Sequence, residues 1–285
     1  MKYAITHAVR FAAAAPVWEH HCELRVAPSS TPHQTVRDLA VTIEPEAEVR
    51  TYRDGFENTV IAFDLMAPHE KASATVRAVV ETTLANPFDF PQIAPASERT
   101  WIADTLNAQP RLWEYLLHRS PAAPPLASLG EIEVPGRDPG KPLLVALQAV
   151  VEWSAAYFEL AETVVPTTTL AEALKAETVD AHALAHLLIS VARAWGAPAR
   201  FVRGYRDPSY TEDDAEQRLH AWAEVLVPGA GWRGLDPCTG LVTNDTYVTV
   251  ATGRDSLDCP PVRSACKGGS LKLLPVSAVE VRGDQ

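Results

Sequence analysis

The chain has 285 residues, with 25 Lys and Arg against 36 Asp and Glu, a formal charge of −11, and 47% hydrophobic residues. That length supports a substantial core in one large or two ordinary domains, and the apolar fraction excludes a disordered protein. The acidic balance excludes a nucleic-acid-binding surface and a polybasic membrane patch, because both need clustered Lys and Arg.

At the N-terminus, Phe11-Ala12-Ala13-Ala14-Ala15-Pro16 is small and apolar, but His7 and Arg10 interrupt the run before it. No later run reaches the roughly 18 apolar residues of a membrane span, so the expectation is a soluble, non-exported chain. From Tyr3 to about Thr83, short alternating runs at 23–26, 39–43, 60–63 and 74–80 are separated by turn-rich clusters at 27–32 and 53–55. Period-two alternation predicts a β-rich domain over residues 1–85, an antiparallel sheet or sandwich with one buried face. After Asn86-Pro87-Phe88 the spacing becomes helical, with Trp101, Leu106, Leu112, Leu116 and Leu117 as candidate core positions. A Pro-rich loop at 121–125 and a Gly/Pro segment through 140–142 follow, so residues 86–145 read as a helical and Pro-rich connection or insertion.

Helical spacing resumes over 143–160 and 170–175, and residues 146–285 read as a single core domain. The clearest helix is 183–195, where Leu184, Leu187, Leu188, Val191 and Trp195 fall on one stripe and Gly196 supplies a stop before Pro198. Strand patterns return at 199–205, 220–227 and 232–237, with an acidic loop from 207 to 216 and a hairpin turn at Pro228-Gly229-Ala230-Gly231. The whole is an α+β chain. One long helix followed by antiparallel strands carrying a His and an Asp is the layout of a papain-like core.

Acyl transfer by a thiol needs a nucleophile, a base within hydrogen-bond reach and a group that orients the base. His220 opens one predicted strand and Asp236 closes the next, so a tight hairpin brings imidazole and carboxylate together. Four cysteines, Cys22, Cys238, Cys259 and Cys266, stand without a CxxC pair, which excludes a dense disulfide framework and a zinc ribbon. A reducing cytoplasm is the expected compartment. His182 and His186 lie at i and i+4 on one helical face, but the zinc-protease pattern needs a glutamate where Ala183 stands. His186 therefore reads as a buried, satisfied histidine, and neither metal, nucleotide nor flavin is expected. His20-His21 and Glu212-Asp213-Asp214 read as solvated surface, the latter close enough to His220 to rim a cleft and favour a cationic or amine-bearing substrate.

The text resembles the bacterial transglutaminase-like family, which joins a β-rich N-terminal region to a papain-like core. The matching motifs are Leu170-Ala171-Glu172-Ala173-Leu174, Ala185-His186-Leu187, the run Gly196-Ala197-Pro198-Ala199-Arg200-Phe201-Val202-Arg203-Gly204-Tyr205, His220-Ala221-Trp222-Ala223-Glu224-Val225 and Gly231-Trp232-Arg233-Gly234-Leu235-Asp236-Pro237. Weaker matches run through Val250-Ala251-Thr252-Gly253-Arg254-Asp255 and Pro260-Pro261-Val262-Arg263, and Asp54-Gly55-Phe56-Glu57-Asn58 fits the family's N-terminal region.

The resemblance implies a Cys-His-Asp triad, with His220 as base and Asp236 as its orienter. It also implies a nucleophilic Cys five residues before His186, and that position is Ala181. A family glycine two residues earlier is Val179, and the usual Gln-Asp that follows is His182-Ala183. Alanine keeps the helix N-terminus and the backbone amide that would face a tetrahedral oxyanion; it removes only the sulfur. Because His220, Asp236 and their neighbours Trp222 and Pro237 are retained, Ala181 reads as an engineered Cys→Ala change, in preference to a naturally non-catalytic binding or scaffold protein. Cys238 is a weaker candidate, a displaced nucleophile two residues after Asp236. His182 and Trp222 are expected to contact substrate. The expected chemistry is acyl transfer from an amide or ester, to an amine or to water, on a peptide, an amide or an amine-bearing small molecule, with no nucleic-acid or membrane partner.

Overall fold

A computed structural model describes residues 1–130, 132–161, 169–175, 178–207, 209, 219–274 and 279–284. The acidic residues Glu212, Asp213 and Asp214 lie outside the described residues. Two antiparallel sheets dominate, and no described helix is long and apolar enough to cross a membrane.

The first sheet is organised by β1 (Lys2–Leu24), far longer than the alternating run at 23–26 suggested. Its first half pairs with β5 (His69–Thr82), from Lys2↔Glu81 to Ala12↔Lys71, and its second half with β4 (Thr59–Leu65), from His20↔Leu65 to Leu24↔Ile61. The change of partner falls at irregular register around 12–17 and at Glu19, whose φ of 47° bends the strand. β2 (Gln34–Glu44) flanks β5, and β3 (Val49–Arg53) flanks β4.

The helical part starts at α1 (Pro95–Ala108), a 3-10 turn at Pro110–Leu112 and α2 (Trp113–Leu117). It continues with α3 (Leu143–Tyr157), the two-residue β6 (Glu159–Leu160), α4 (Leu170–Lys175), β7 (Thr178–Val179) and α5 (Ala181–Ala194). α5 carries buried Leu184, Leu187, Leu188 and Val191, as its stripe predicts, and ends at Gly196 with φ 81°, where the 196 and 197 amides turn back onto Arg193 and Ala192. The second sheet runs β11-β10-β9-β8-β12, from β8 (Ala199–Arg206), β9 (His220–Val227), β10 (Gly231–Asp236), β11 (Leu241–Val242) and β12 (Tyr247–Gly253). α5 packs across β8 and β9, burying its stripe against Phe201, Ala221, Ala223 and Val225.

Two boundaries differ from the sequence expectation. Residues 86–145, expected as a connection or insertion with core positions of its own, pack into the core that α5 occupies. Ile102, Leu106, Leu112, Ala123 and Leu129 are buried in the same core as α5, and buried Glu98 accepts from the Leu143 amide at the start of α3 while pairing with Arg137. Leu117, by contrast, is exposed, because α2 is too short to bury a second face. The second difference is at the C-terminus, where β13 (Val262–Lys267), β14 (Leu271–Leu273) and β15 (Val279–Asp284) leave the core and pair with β1. These strands cover the side of β1 that β5 and β4 leave unpaired.

The two sheets are tied together through buried polar contacts. Tyr3 donates to Asp207, the His7 Nδ1 meets the Tyr205 hydroxyl at 2.8 Å, and the Gln34 side chain bonds the Thr249 amide and carbonyl. Tyr3, Ile5, Ala78 and Val80 of the first sheet belong to the same apolar cluster as α5.

Candidate active site

Three elements end at one place. β7 pairs in parallel with β6, Leu160 opposite Val179, and this anchors the chain just before α5. Asp180 then caps the helix, its Oδ1 accepting from the Ala183 amide at 2.8 Å, so position 181 is the first helical residue. An Asp before an amphipathic run is a sequence-level cap signal, and Asp180 is a positioning residue that the motif comparison passed over.

β9 and β10 form the predicted hairpin, with Gly231 opposite Val227 and Leu235 opposite Ala223. That register carries His220 and Asp236 to the same end, where His220 Nε2 meets Asp236 Oδ2 at 2.8 Å. Asp236 is fully buried, and a buried carboxylate persists only when its oxygens are satisfied. Oδ2 accepts a second bond from the Tyr247 hydroxyl at 2.8 Å, and Oδ1 accepts from the Cys238 amide at 3.0 Å. Burial alone would raise this carboxyl; the His220 charge and hydrogen bond, with Arg206 and Tyr247, outweigh it and hold Asp236 below its ordinary value. Tyr247 pays the opposite way: burial, then the Asp236 charge, pushes its hydroxyl up, so it stays a proton donor. No motif marks Tyr247; only the β12 strand brings it beneath the dyad.

Of the residues on either side of position 181, one is within electrostatic reach of His220 and the other of the thiol that follows Asp236. The His220 charge acts on His182, and the Asp180 charge acts on the Cys238 thiol. His182 is held neutral, to about 3, by burial first and then by Arg203, His186 and His220. Its ring stacks on Phe201 at 5.6 Å, and its Nδ1 is buried with no hydrogen-bond partner among the described residues. His186 stacks on the same Phe201 ring and its Nε2 accepts from the Ser256 amide at 3.1 Å. That nitrogen is therefore engaged inside the core and unavailable to a metal on the helix face.

Trp222 corrects an expectation. It is 1% exposed and cannot touch substrate. His220 and Trp222 share one face of β9 by alternation, and the indole lies under the imidazole at 6.2 Å between ring centres and meets Tyr247 edge-on. It packs behind the dyad and shields it from water. Gly204 makes room for it, since a Cβ there would lie 2.5 Å from the indole and 2.1 Å from the Val248 carbonyl.

Residues 3–81 match the family model of the bacterial transglutaminase-like N-terminal region, and residues 137–237 match that of the transglutaminase-like superfamily. Both matches are transglutaminase-like. The core match ends one residue beyond Asp236 and so contains Ala181, His220 and Asp236. The uncharacterized Mycobacterium leprae protein ML0607 is 27% identical over 286 residues, 95% of each chain. The uncharacterized Mycobacterium tuberculosis protein Rv2569c is 27% identical over 279 residues, covering 92% of this chain and 86% of its own. Among solved structures, a candidate cysteine protease from Cytophaga hutchinsonii superposes with a TM-score of 0.73 at 19% identity, covering 99% of this chain and 90% of that one. The α+β fold shared with that structure therefore extends over the whole chain, including residues 86–145, whereas the transglutaminase-like family matches stop at 3–81 and 137–237.

Proposed function

We propose that this site is built for thiol-dependent acyl chemistry on peptide, amide or ester substrates, with position 181 as the nucleophile's place, His220 as general base and acid, and Asp236 as the group that orients His220. With cysteine at 181, His220 takes the thiol proton, the thiolate attacks the acyl carbonyl, and the imidazolium returns the proton to the leaving amine or alcohol. An incoming amine or water then takes the acyl group, with His220 again as base. The observation that carries this reading is the 2.8 Å His220–Asp236 bond on a fully buried, ionised carboxylate, a costly arrangement for a structural histidine at a strand end. It leaves Nδ1 of His220 as the nitrogen for proton exchange with the nucleophile. The α5 N-terminus favours negative charge on a thiolate at 181, and its first amides are donors for an oxyanion. As it stands, with Ala181, the chain holds substrate without turning it over.

Ala181→Cys tests this. The variant is expected to give a burst of about one equivalent from an activated ester and to be alkylated by iodoacetamide below the ordinary thiol value of roughly 8.5. Both properties are expected to vanish in Ala181→Cys/His220→Ala. An ordinary thiol with no dependence on His220 overturns the proposal.

A second reading, a naturally non-catalytic transglutaminase-like binding protein, is favoured by one observation. Val179, His182 and Ala183 depart from the family pattern together with Ala181, whereas an engineered Cys→Ala change alters one position. The codon at position 181 in the genomic gene decides between the two.

A further inference from the structure

Cys238 lies in the turn that follows β10, and neither reading above gives it a role. Its thiol, a His220 ring nitrogen and an Asp236 carboxylate oxygen all lie within 4.8 Å of one another. We propose that Cys238, His220 and Asp236 form a mononuclear site for a zinc-class divalent cation, with the fourth position left to water.

The donor set is one thiolate, one imidazole and one carboxylate. Mixed sulfur, nitrogen and oxygen donors at bond lengths of about 2.0–2.3 Å suit Zn2+ or Co2+ in a tetrahedron, and three protein ligands leave the fourth position to water or a ligand. The backbone that carries Asp236 and Cys238 is held in a tight turn. The Thr239 and Gly240 amides both turn back onto the Asp236 carbonyl, and the Cys238 amide bonds Asp236 Oδ1. The Tyr247 hydroxyl holds the carboxylate from behind, as outer partners of metal ligands do. Cys238 is partly exposed as a residue, unlike Cys22 and Cys259, which are buried. His182, with its unpartnered Nδ1, stands within electrostatic reach of His220 on the helix side.

A divalent cation takes the Cys238 thiolate and the Asp236 carboxylate as ligands, and one proton leaves Cys238 for solvent. His220 offers a ring-nitrogen lone pair, so its hydrogen bond to Asp236 opens and its ring proton passes to the other ring nitrogen; only S–H and N–H bonds change and no electron moves. The ion and the acyl chemistry proposed at position 181 are alternative uses of one dyad, because a His220 that binds the ion cannot also act as general base.

The test uses the full chain with Ala181 in place, stripped by chelator under reducing conditions and titrated with Co2+ alone, then with Zn2+. The expected result is one Co2+ per chain with tetrahedral visible bands and a near-ultraviolet thiolate-to-cobalt band, both displaced by Zn2+. Cys238→Ser should abolish the thiolate band and weaken binding at least tenfold, whereas Cys266→Ser should change neither. A missing thiolate band, or one that survives Cys238→Ser, overturns the proposal. Should Cys238→Ser fail to fold by circular dichroism, alkylation of Cys238 in the unaltered chain, read by peptide mass, takes its place. Zn2+ is expected to slow it at least tenfold, and an unchanged rate overturns the proposal. Failure here leaves the ester burst of Ala181→Cys as a separate result, because metal binding is read without turnover.

Discussion

The Tyr247 hydroxyl and the His220 imidazole meet the same oxygen of Asp236, each at 2.8 Å, one from β12 and the other from β9. The tyrosine thus fixes the carboxylate that fixes the histidine. Tyr247→Phe removes a hydrogen bond to a buried charged group and is expected to cost about 1.5–3 kcal/mol in urea unfolding. In the Ala181→Cys background the same change should lower kcat with little change in KM, because Tyr247 acts through Asp236. An unchanged urea midpoint would show that water replaces the hydroxyl.

Acid sensitivity follows from buried neutral histidines. His7, His20 and His186 are each lowered by burial from 6.5 to about 4, with the charges of His69 and His21 adding to the effect at His20. Between those values the unfolded chain binds protons that the folded chain refuses, so stability is present above 6.5 and is lost as pH falls toward 4. Each histidine contributes a slope of at most about 1.4 kcal/mol per pH unit. Urea midpoints should fall steeply across that window, and His7→Asn, which keeps a partner for Tyr205, should reduce the slope. Equal slopes in the two proteins would contradict the assignment of His7.

Arg193 is expected to be among the costliest single substitutions. Its buried guanidinium donates to the carbonyls of Tyr115, His118, Ala199 and Arg254, so one side chain joins residues 86–145 to α5, β8 and the end of β12. Arg193→Ala leaves four acceptors without their donor and should destabilise by about 3 kcal/mol or more; Arg193→Lys, with three protons and no fork, should recover only part of it. Thermal melts of the two variants check the order.

Gly204→Ala should be worse than its single carbon suggests. The added Cβ meets a backbone carbonyl and the fully buried Trp222 ring, neither of which can withdraw. Overpacking of this kind costs about 1–3 kcal/mol. The indole's displacement should also loosen His220, visible as a change in Trp fluorescence alongside the lower melting temperature.

Periodicity and local signals determined a good deal by themselves. The α5 stripe with Gly196 beyond it, the hairpin that puts His220 beside Asp236, and the β-rich first region are local properties of the chain, set by the pitch of a helix and the two-residue repeat of a strand. Tertiary structure alone decided the rest. β13 to β15 pair with β1 more than 230 residues away, which no local pattern encodes. The helical segment at 86–145 joins the core through Glu98 and Arg193, contacts whose partners lie on other elements. Trp222 reads like a cleft residue because it stands two places from His220, yet strand alternation and the close approach at Gly204 bury it. The third group on Asp236 and the thiol beside it, Tyr247 and Cys238, become neighbours of His220 only when β9, β10 and β12 are assembled, because side-chain chemistry across a sheet is a property of register and not of sequence distance.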